Sequence, residues 1–276
     1  MAFFMEATFI AVMFFGWNKV SKRFHLASTW LTAIGATISA LWILVANSWM
    51  QYPVGMKFDP ETARNVMDDF WALVLSPVAV NKFFHAVSSG WVLGGIFVVG
   101  VSAWYLIKNR ENFLARNSIR VGAWVGLIGS LVVAYTGDGS AYQVADKQPM
   151  KLAAMEGGYV DKNLKGEEII ALSAQEKMER GRLAIAALAD FNTARKDNDT
   201  EAMNEAKTRL EANYEYFGYG YIDSVEQLIP HVPFVFYSFH IMIILGGYFL
   251  LFFILILVLS YKEKLQKLKW VLWIAV

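Results

Sequence analysis

Four ionisable side chains stand inside otherwise uncharged apolar stretches of this 276-residue chain: Glu6, Lys82, His85 and His240. Placing such a group in a bilayer core costs about 2.5–3.5 kcal/mol on insertion scales, so each is expected to be paired or to have a task. The two histidines offer the richest chemistry, because a neutral imidazole can bind haem iron through one ring nitrogen. Met242 adds a soft thioether two residues after His240. Residues two apart on a helix project roughly 200° apart, so only one of His240 and Met242 can face a given neighbour. A histidine on one helix opposite histidine or methionine on another is an axial-ligand pair for haem, and spacing alone favours His240. Lys82 lies one turn before His85 and shares its face. Ser88, Ser89, Gly90, Gly94, Gly95 and Gly100 follow, and such small residues either admit a second backbone or leave room for a flat macrocycle. Glu6 reaches the headgroups if the chain begins at Met1, and becomes a proton carrier if more helix precedes it. His25 and His231 fall at interfaces and read as solvated.

Helices that cross a bilayer must carry these residues. The composition is 56% hydrophobic, 15% aromatic and 18% charged, against roughly 25% charged in soluble domains. A bilayer core needs about 20 apolar helical residues. Residues 24–56 contain no Asp, Glu, Lys or Arg, and Leu26 to Met50 reads as one helix. Phe83 to Ile107, extended upstream by Val78 to Asn81, is a second, and Val121 to Gly137 a shorter third. Gln227 to Tyr261 contains a fourth that is apolar on every face, as a helix in lipid is. Met1 to Trp17 is apolar without the basic n-region of a signal peptide. Trp270 to Val276 opens a span and stops after about two turns, too few to satisfy its end carbonyls in lipid. Both end spans are therefore expected to be truncated and the chain to be a central fragment.

The connections alternate in charge. Lys19, Lys22 and Arg23 form one basic loop; Lys108, Arg110, Arg116 and Arg120 a second; Lys262, Lys264, Lys267 and Lys269 a third. By the positive-inside rule these are cytoplasmic, which puts the acidic Asp59–Asp69 loop and the long block from Asp138 to Glu226 outside. That block holds 17 of the 24 acidic residues but 11 of the 25 basic ones, and is net −6 within a chain of net +1. Glu167 to Arg195 and Glu201 to Tyr216 have helix-forming composition with apolar residues three and four apart, so a solvated helical hairpin is expected. The predicted fold is all-α, a polytopic transmembrane bundle with a long extracytoplasmic helical loop, divided into residues 1–137, 138–229 and 230–276. A polar acidic block set in an apolar, basic framework excludes a nucleic-acid-binding domain, which would need its basic residues on an exposed face. The absence of cysteine excludes disulfides and thiolate ligation of zinc, iron–sulfur clusters or haem.

Several polar and aromatic strings occur in fixed order: MAFFMEATF (1–9), ALWILVANSWMQYPVG (40–55), KFFHAVSSGW (82–91), GDGSAY (137–142), KLAAMEG (151–157) and FYSFHIM (236–242). In these the chain resembles subunit I of the cytochrome bd-type quinol oxidases over essentially its whole length. The resemblance implies that His85 and Met242 are the axial ligands of a low-spin haem b, reversing the preference that spacing gave to His240. His240, often arginine in the family, is then expected at the haem edge or its propionates. The outer block resembles the family's quinol-binding loop, with Gln148, Lys151 and Glu156 at its polar positions. Quinol oxidation sheds protons as electrons leave, so a carboxylate acceptor and a cation to steady developing negative charge suit that chemistry. Glu6, with Ser39 and Asn47, resembles the lining of the route by which protons reach the oxygen-reducing haems.

The implied activity is a quinol:oxygen oxidoreductase of a bacterial cytoplasmic membrane. Quinol would be oxidised at the outer face and dioxygen reduced to water, building a proton gradient without pumping. A high-spin haem b and haem d belong to the full complex, with ligands expected outside this chain. A second membrane subunit is the implied partner, and a small accessory subunit a further candidate. Two other readings predict different observations. A haem-b anchor relaying electrons between quinone and a partner would take up no oxygen; a haem-free transporter using Glu6 and Lys82 would be colourless.

Overall fold

The computed structural model describes residues 2–59, 62, 64–157 and 165–276, with backbone alone for residues 165–173. Among the described residues, four helices are long and apolar enough to cross a membrane. The chain divides into two compact units: residues 1–53, 73–140 and 245–276, and residues 54–72 and 141–244.

The first unit contains α1 (Ala2–Phe15), α2 (Lys22–Gln51), α4 (Pro77–Ile107), most of α5 (Asn112–Lys147), the C-terminal part of α9 (Val232–Tyr261) and α10 (Lys269–Ala275). Local chemistry starts these helices. Ser21 Oγ accepts the Phe24 amide at 3.2 Å to cap α2. Ser76 does the same for Ala79 at 3.2 Å, with Pro77 in the first turn of α4 where its missing N–H costs nothing. The short third span of the sequence is the middle of a 36-residue helix. At 1.5 Å per residue α5 runs about 54 Å, well beyond a core of about 30 Å. Its polar last turns carry the GDGSAY string.

The helices meet through small residues. A Cβ on Gly95 would lie 2.8 Å from Gly122 O and 2.8 Å from Gly126 Cα, so α4 and α5 cross backbone to backbone there. Gly100 is approached by the Ala275 carbonyl of α10 in the same way, its Cβ position 2.9 Å from that oxygen. Gly90 and Gly94 have nothing within 4 Å of a Cβ. The run of glycines therefore splits, packing winning at Gly95 and Gly100 and open space remaining at Gly90 and Gly94. Gly35 of α2 takes the α1 backbone, with Glu6 N 3.1 Å from its Cβ position. Phe253 and Ile256 of α9 are fully buried beside Ile119 and Val99. At the end of α9, Arg120 donates to Ser260 Oγ and Ser260 O, both at 3.0 Å, and stacks its guanidinium 4.9 Å from the Tyr261 ring. One basic residue thereby satisfies a terminal carbonyl that the helix leaves open.

In the second unit the hairpin predicted for the acidic block is α7 (Lys165–Asp197) and α8 (Thr200–Asn213). Asn198 turns at φ 54°, and Asp199 Oδ1 accepts the amides of Glu201 and Ala202 at 3.1 Å each. Helix α8 stops short of the expected Tyr216 and tightens into a 3-10 turn over Tyr214–Tyr221. The cause is a glycine contact: Gly220 N would sit 2.3 Å from a Cβ on Gly181, so the turn lies directly on the α7 backbone. One strand ends at Asp59 and a second lies within the acidic Asp59–Asp69 loop. β1 (Met56–Asp59) and β2 (Arg64–Met67) pair antiparallel, and Phe58 is buried with Ala184, Ala187 and Leu210, its ring stacked 5.4 Å from Tyr214. The unit also holds α3 (Phe70–Val74, in part), α6 (Pro149–Met155) and the start of α9.

Candidate functional site

In the first unit, His85 lies against the C-terminal part of α5. Its Nδ1 is 3.0 Å from Thr136 Oγ1. That hydroxyl has a single proton, directed to the Val132 carbonyl at 2.7 Å. With the hydroxyl proton so directed, the imidazole donates from Nδ1, and the neutral ring then carries its lone pair on Nε2. The ring covers Gly137, whose Cβ position is 3.5 Å from His85 Cε1. One turn earlier on α4, Asn81 Nδ2 donates to Thr136 O at 3.0 Å and to Ser140 Oγ at 2.8 Å. Ser140 Oγ donates in turn to Thr136 O at 2.9 Å. The two helices are thus hydrogen-bonded at successive turns, and the histidine has one fixed ring position.

His240 and Met242 lie on the part of α9 that belongs to the second unit. His240 Nδ1 donates to the Phe236 carbonyl at 2.9 Å and its ring sits 4.1 Å from that of Phe236. Met242 is 56% exposed. His25 and His231 have local tasks: His25 Nε2 donates to Met13 O at 2.9 Å, and His231 Nδ1 accepts the Phe234 amide at 3.3 Å.

The outer-block residues separate into two places within the second unit. Gln148 and Lys151, one turn apart at the start of α6, line a cavity of about 310 Å³ with Lys177, Tyr219, Leu228 and Pro230. Lys177 Nζ stands 5.9 Å from the centre of the Tyr219 ring. Glu156 caps the other end of α6, exposed, and is absent from the cavity wall. Five residues on a helix amount to about 140° of rotation, so Lys151 and Glu156 do not share a face. Gly157, at φ 74°, then turns the chain against Phe236, its Cβ position 3.4 Å from Phe236 Cδ2. Glu156 therefore adjoins the start of α9.

The intramembrane polar residues of the first unit are brought together in part. Lys82 Nζ donates to Asn47 Oδ1 at 3.2 Å and to Gln51 Oε1, which gives the half-buried cation two amide partners. Glu6 and Ser39 are half-buried, Glu6 with its backbone against Gly35. Thr136, Asn81, Gln51, Lys177 and Tyr219 were not singled out by the sequence. Thr136 directly precedes the GDGSAY string, but a partner 51 residues away leaves no periodic signal.

The family model for cytochrome bd terminal oxidase subunit I matches residues 1–276. The cytochrome bd-II ubiquinol oxidase subunit 1 of Escherichia coli (strain K12) is 34% identical over 328 aligned residues, covering 99% of this chain and 63% of the relative. The cytochrome bd ubiquinol oxidase subunit 1 of Bacillus subtilis (strain 168) is 34% identical over 272 residues, covering 99% of this chain and 56% of the relative. A solved structure, the bd oxidase from Geobacillus thermodenitrificans, matches at 28% identity and a TM-score of 0.49, covering 56% of this chain and 36% of that one. The chain thus spans about three fifths of the length of these two curated relatives. With four helices long and apolar enough to cross a membrane among the described residues, and a family match over residues 1–276, the chain belongs to the cytochrome bd terminal oxidase subunit I family.

Proposed function

We propose that this chain is the quinol-oxidising and low-spin-haem portion of a membrane quinol:oxygen oxidoreductase. The observation that carries the reading is the cavity where Gln148, Lys151 and Lys177 meet beside Tyr219, Leu228 and Pro230. A volume of about 310 Å³ suits a small flat ring, since ligand pockets begin near that size. The apolar and aromatic wall would cover the ring face. Gln148 would hydrogen-bond a ring hydroxyl, and the lysine cations would lower the energy of the oxygen anion that forms as its proton departs. Glu156, exposed at the end of α6, would take that proton on to the outer water. Each quinol gives quinone, two protons and two electrons; two quinols match one dioxygen, four protons and two waters.

The donor set fits the group that the family implies. His85 presents an unprotonated Nε2 with its other nitrogen hydrogen-bonded, the usual state of a ligating histidine, and Met242 offers a thioether. A low-spin haem b held by these two would supply one-electron transfer, while the high-spin haem b and haem d would be held outside this chain. His240, its Nδ1 tied to Phe236, would stand at the porphyrin edge. Glu6 would admit protons from the cytoplasmic side past Ser39 and Asn47. The second membrane subunit completes the enzyme, with the outer block of residues 138–229 on the extracytoplasmic face.

Steady-state kinetics of the assembled oxidase test the cavity. Gln148→Ala and Lys151→Ala should each raise the KM for quinol about tenfold, as loss of one hydrogen bond or ionic contact of roughly 1.4 kcal/mol does. Glu156→Gln should lower kcat with the haem spectrum intact. An unchanged KM in both cavity variants refutes the assignment.

A further inference from the structure

We propose that Thr136 is the positioning residue for His85, its hydroxyl holding the imidazole in the tautomer that offers Nε2 to iron; this rests on His85 being an axial ligand. Three features of the contact carry the proposal. The Thr136 side chain is nearly enclosed, at 6% exposure, so no water can take its place as acceptor. Its proton is directed to the backbone, to Val132 O at 2.7 Å and Val133 O at 3.3 Å, which leaves the oxygen lone pairs as the side-chain acceptor for Nδ1 at 3.0 Å. Threonine bonded in this way to the carbonyl four residues back is rotationally fixed, so the acceptor does not wander.

The rest of the contact holds Thr136 in register with His85. Asn81 Nδ2 and Ser140 Oγ both donate to the Thr136 carbonyl, which ties α5 to α4 one turn before the histidine. Gly137 lets the ring lie on the α5 backbone at 3.5 Å. The imidazole thus has its proton, its plane and its height set by one short stretch of α5. A neutral histidine without this acceptor would divide between two tautomers, and only one of them can bind iron through Nε2. The bond also makes the ligating nitrogen more basic, and a more basic ligand favours the oxidised metal.

The test uses the assembled oxidase in detergent, with redox titration of the low-spin band and haem retention as readouts. Thr136→Val keeps the shape and removes the hydroxyl. It should raise the midpoint potential of that band and weaken haem retention about tenfold, the low end for loss of a partner to a ligating histidine. Thr136→Ser should restore both to within about twofold of the original retention. Thr136→Cys, a weaker acceptor, should fall between, and serves if the valine variant does not assemble. His85→Ala separates the two claims. A low-spin band that survives in His85→Ala overturns the ligand assignment itself. A band lost in His85→Ala, with potential and retention unmoved in Thr136→Val or Thr136→Cys, overturns the role of Thr136 alone.

Discussion

Gly126→Ala is the most sharply defined perturbation of the bundle. The added methyl would lie 2.1, 2.3 and 2.5 Å from three ring atoms of Phe253. Carbon atoms rest at about 3.5 Å or more, so the ring would have to retreat by roughly 1.4 Å. Phe253 is fully buried, with Ile119, Ile256 and Leu272 in the same cluster, and has no free volume to enter. Overpacking of this kind costs about 1–3 kcal/mol, a 5- to 150-fold loss in the folding equilibrium. Gly94→Ala is the internal control: nothing lies within 4 Å of its Cβ position, and replacing a helical glycine is neutral or favourable by about 0.5–1 kcal/mol. Unfolding of the purified protein from mixed micelles by graded SDS, followed by tryptophan fluorescence, would measure both. Phe253→Leu combined with Gly126→Ala should cost less than the sum of the single changes, with a coupling of about 0.5–3 kcal/mol for residues in contact. Equal midpoints for Gly126→Ala and Gly94→Ala, or strict additivity in the double variant, would refute the packing argument.

Three more outcomes are expected. Reduced-minus-oxidised spectra should lose the low-spin band in His85→Ala and Met242→Ala and keep it in His240→Ala; the reverse for the last two would make His240 the ligand. Glu6→Gln should slow oxygen consumption about tenfold or more while quinol still reduces the low-spin band at the normal rate, since only proton delivery is impaired; normal turnover would remove Glu6 from the route. Asp199→Ala removes the acceptor of the Glu201 and Ala202 amides and should destabilise α8 locally by about 1 kcal/mol, read as faster hydrogen exchange in Thr200–Asn213. Unaltered exchange there would mean that the cap carries no weight.

The spans were legible because lipid imposes one rule over some 20 residues at a time, and a charge-free run obeys it visibly. Phe83 to Ile107 shows this well: every apolar residue votes the same way, and α4 ends within a residue of the expected limit. The length of α5 was less visible. Its polar last turns, Gly137 to Lys147, resemble a loop in composition, yet they stay helical, and Asn81 and Ser140 bond the Thr136 carbonyl where they begin. The same limit applied to the helix end at Asn213, which is set by Gly181 of another helix.

The residue types able to bind iron or quinol were also readable without coordinates. Histidine is scarce inside the apolar runs, and scarcity marks it, whereas Met242, Gln148 and Lys151 were assigned through the family resemblance. By itself the chain's order of residues determined the four crossings, their alternating charge and the short inventory of reactive groups, all of which follow from local transfer free energies. Only the tertiary structure decided which partner each group meets: Thr136 for His85, Lys177 and Tyr219 for Gln148 and Lys151, and Phe236 for His240. Those meetings depend on hydrogen bonds and packing between residues four to seventy positions apart. Except for the one-turn pair in α9, no periodicity in the sequence records them.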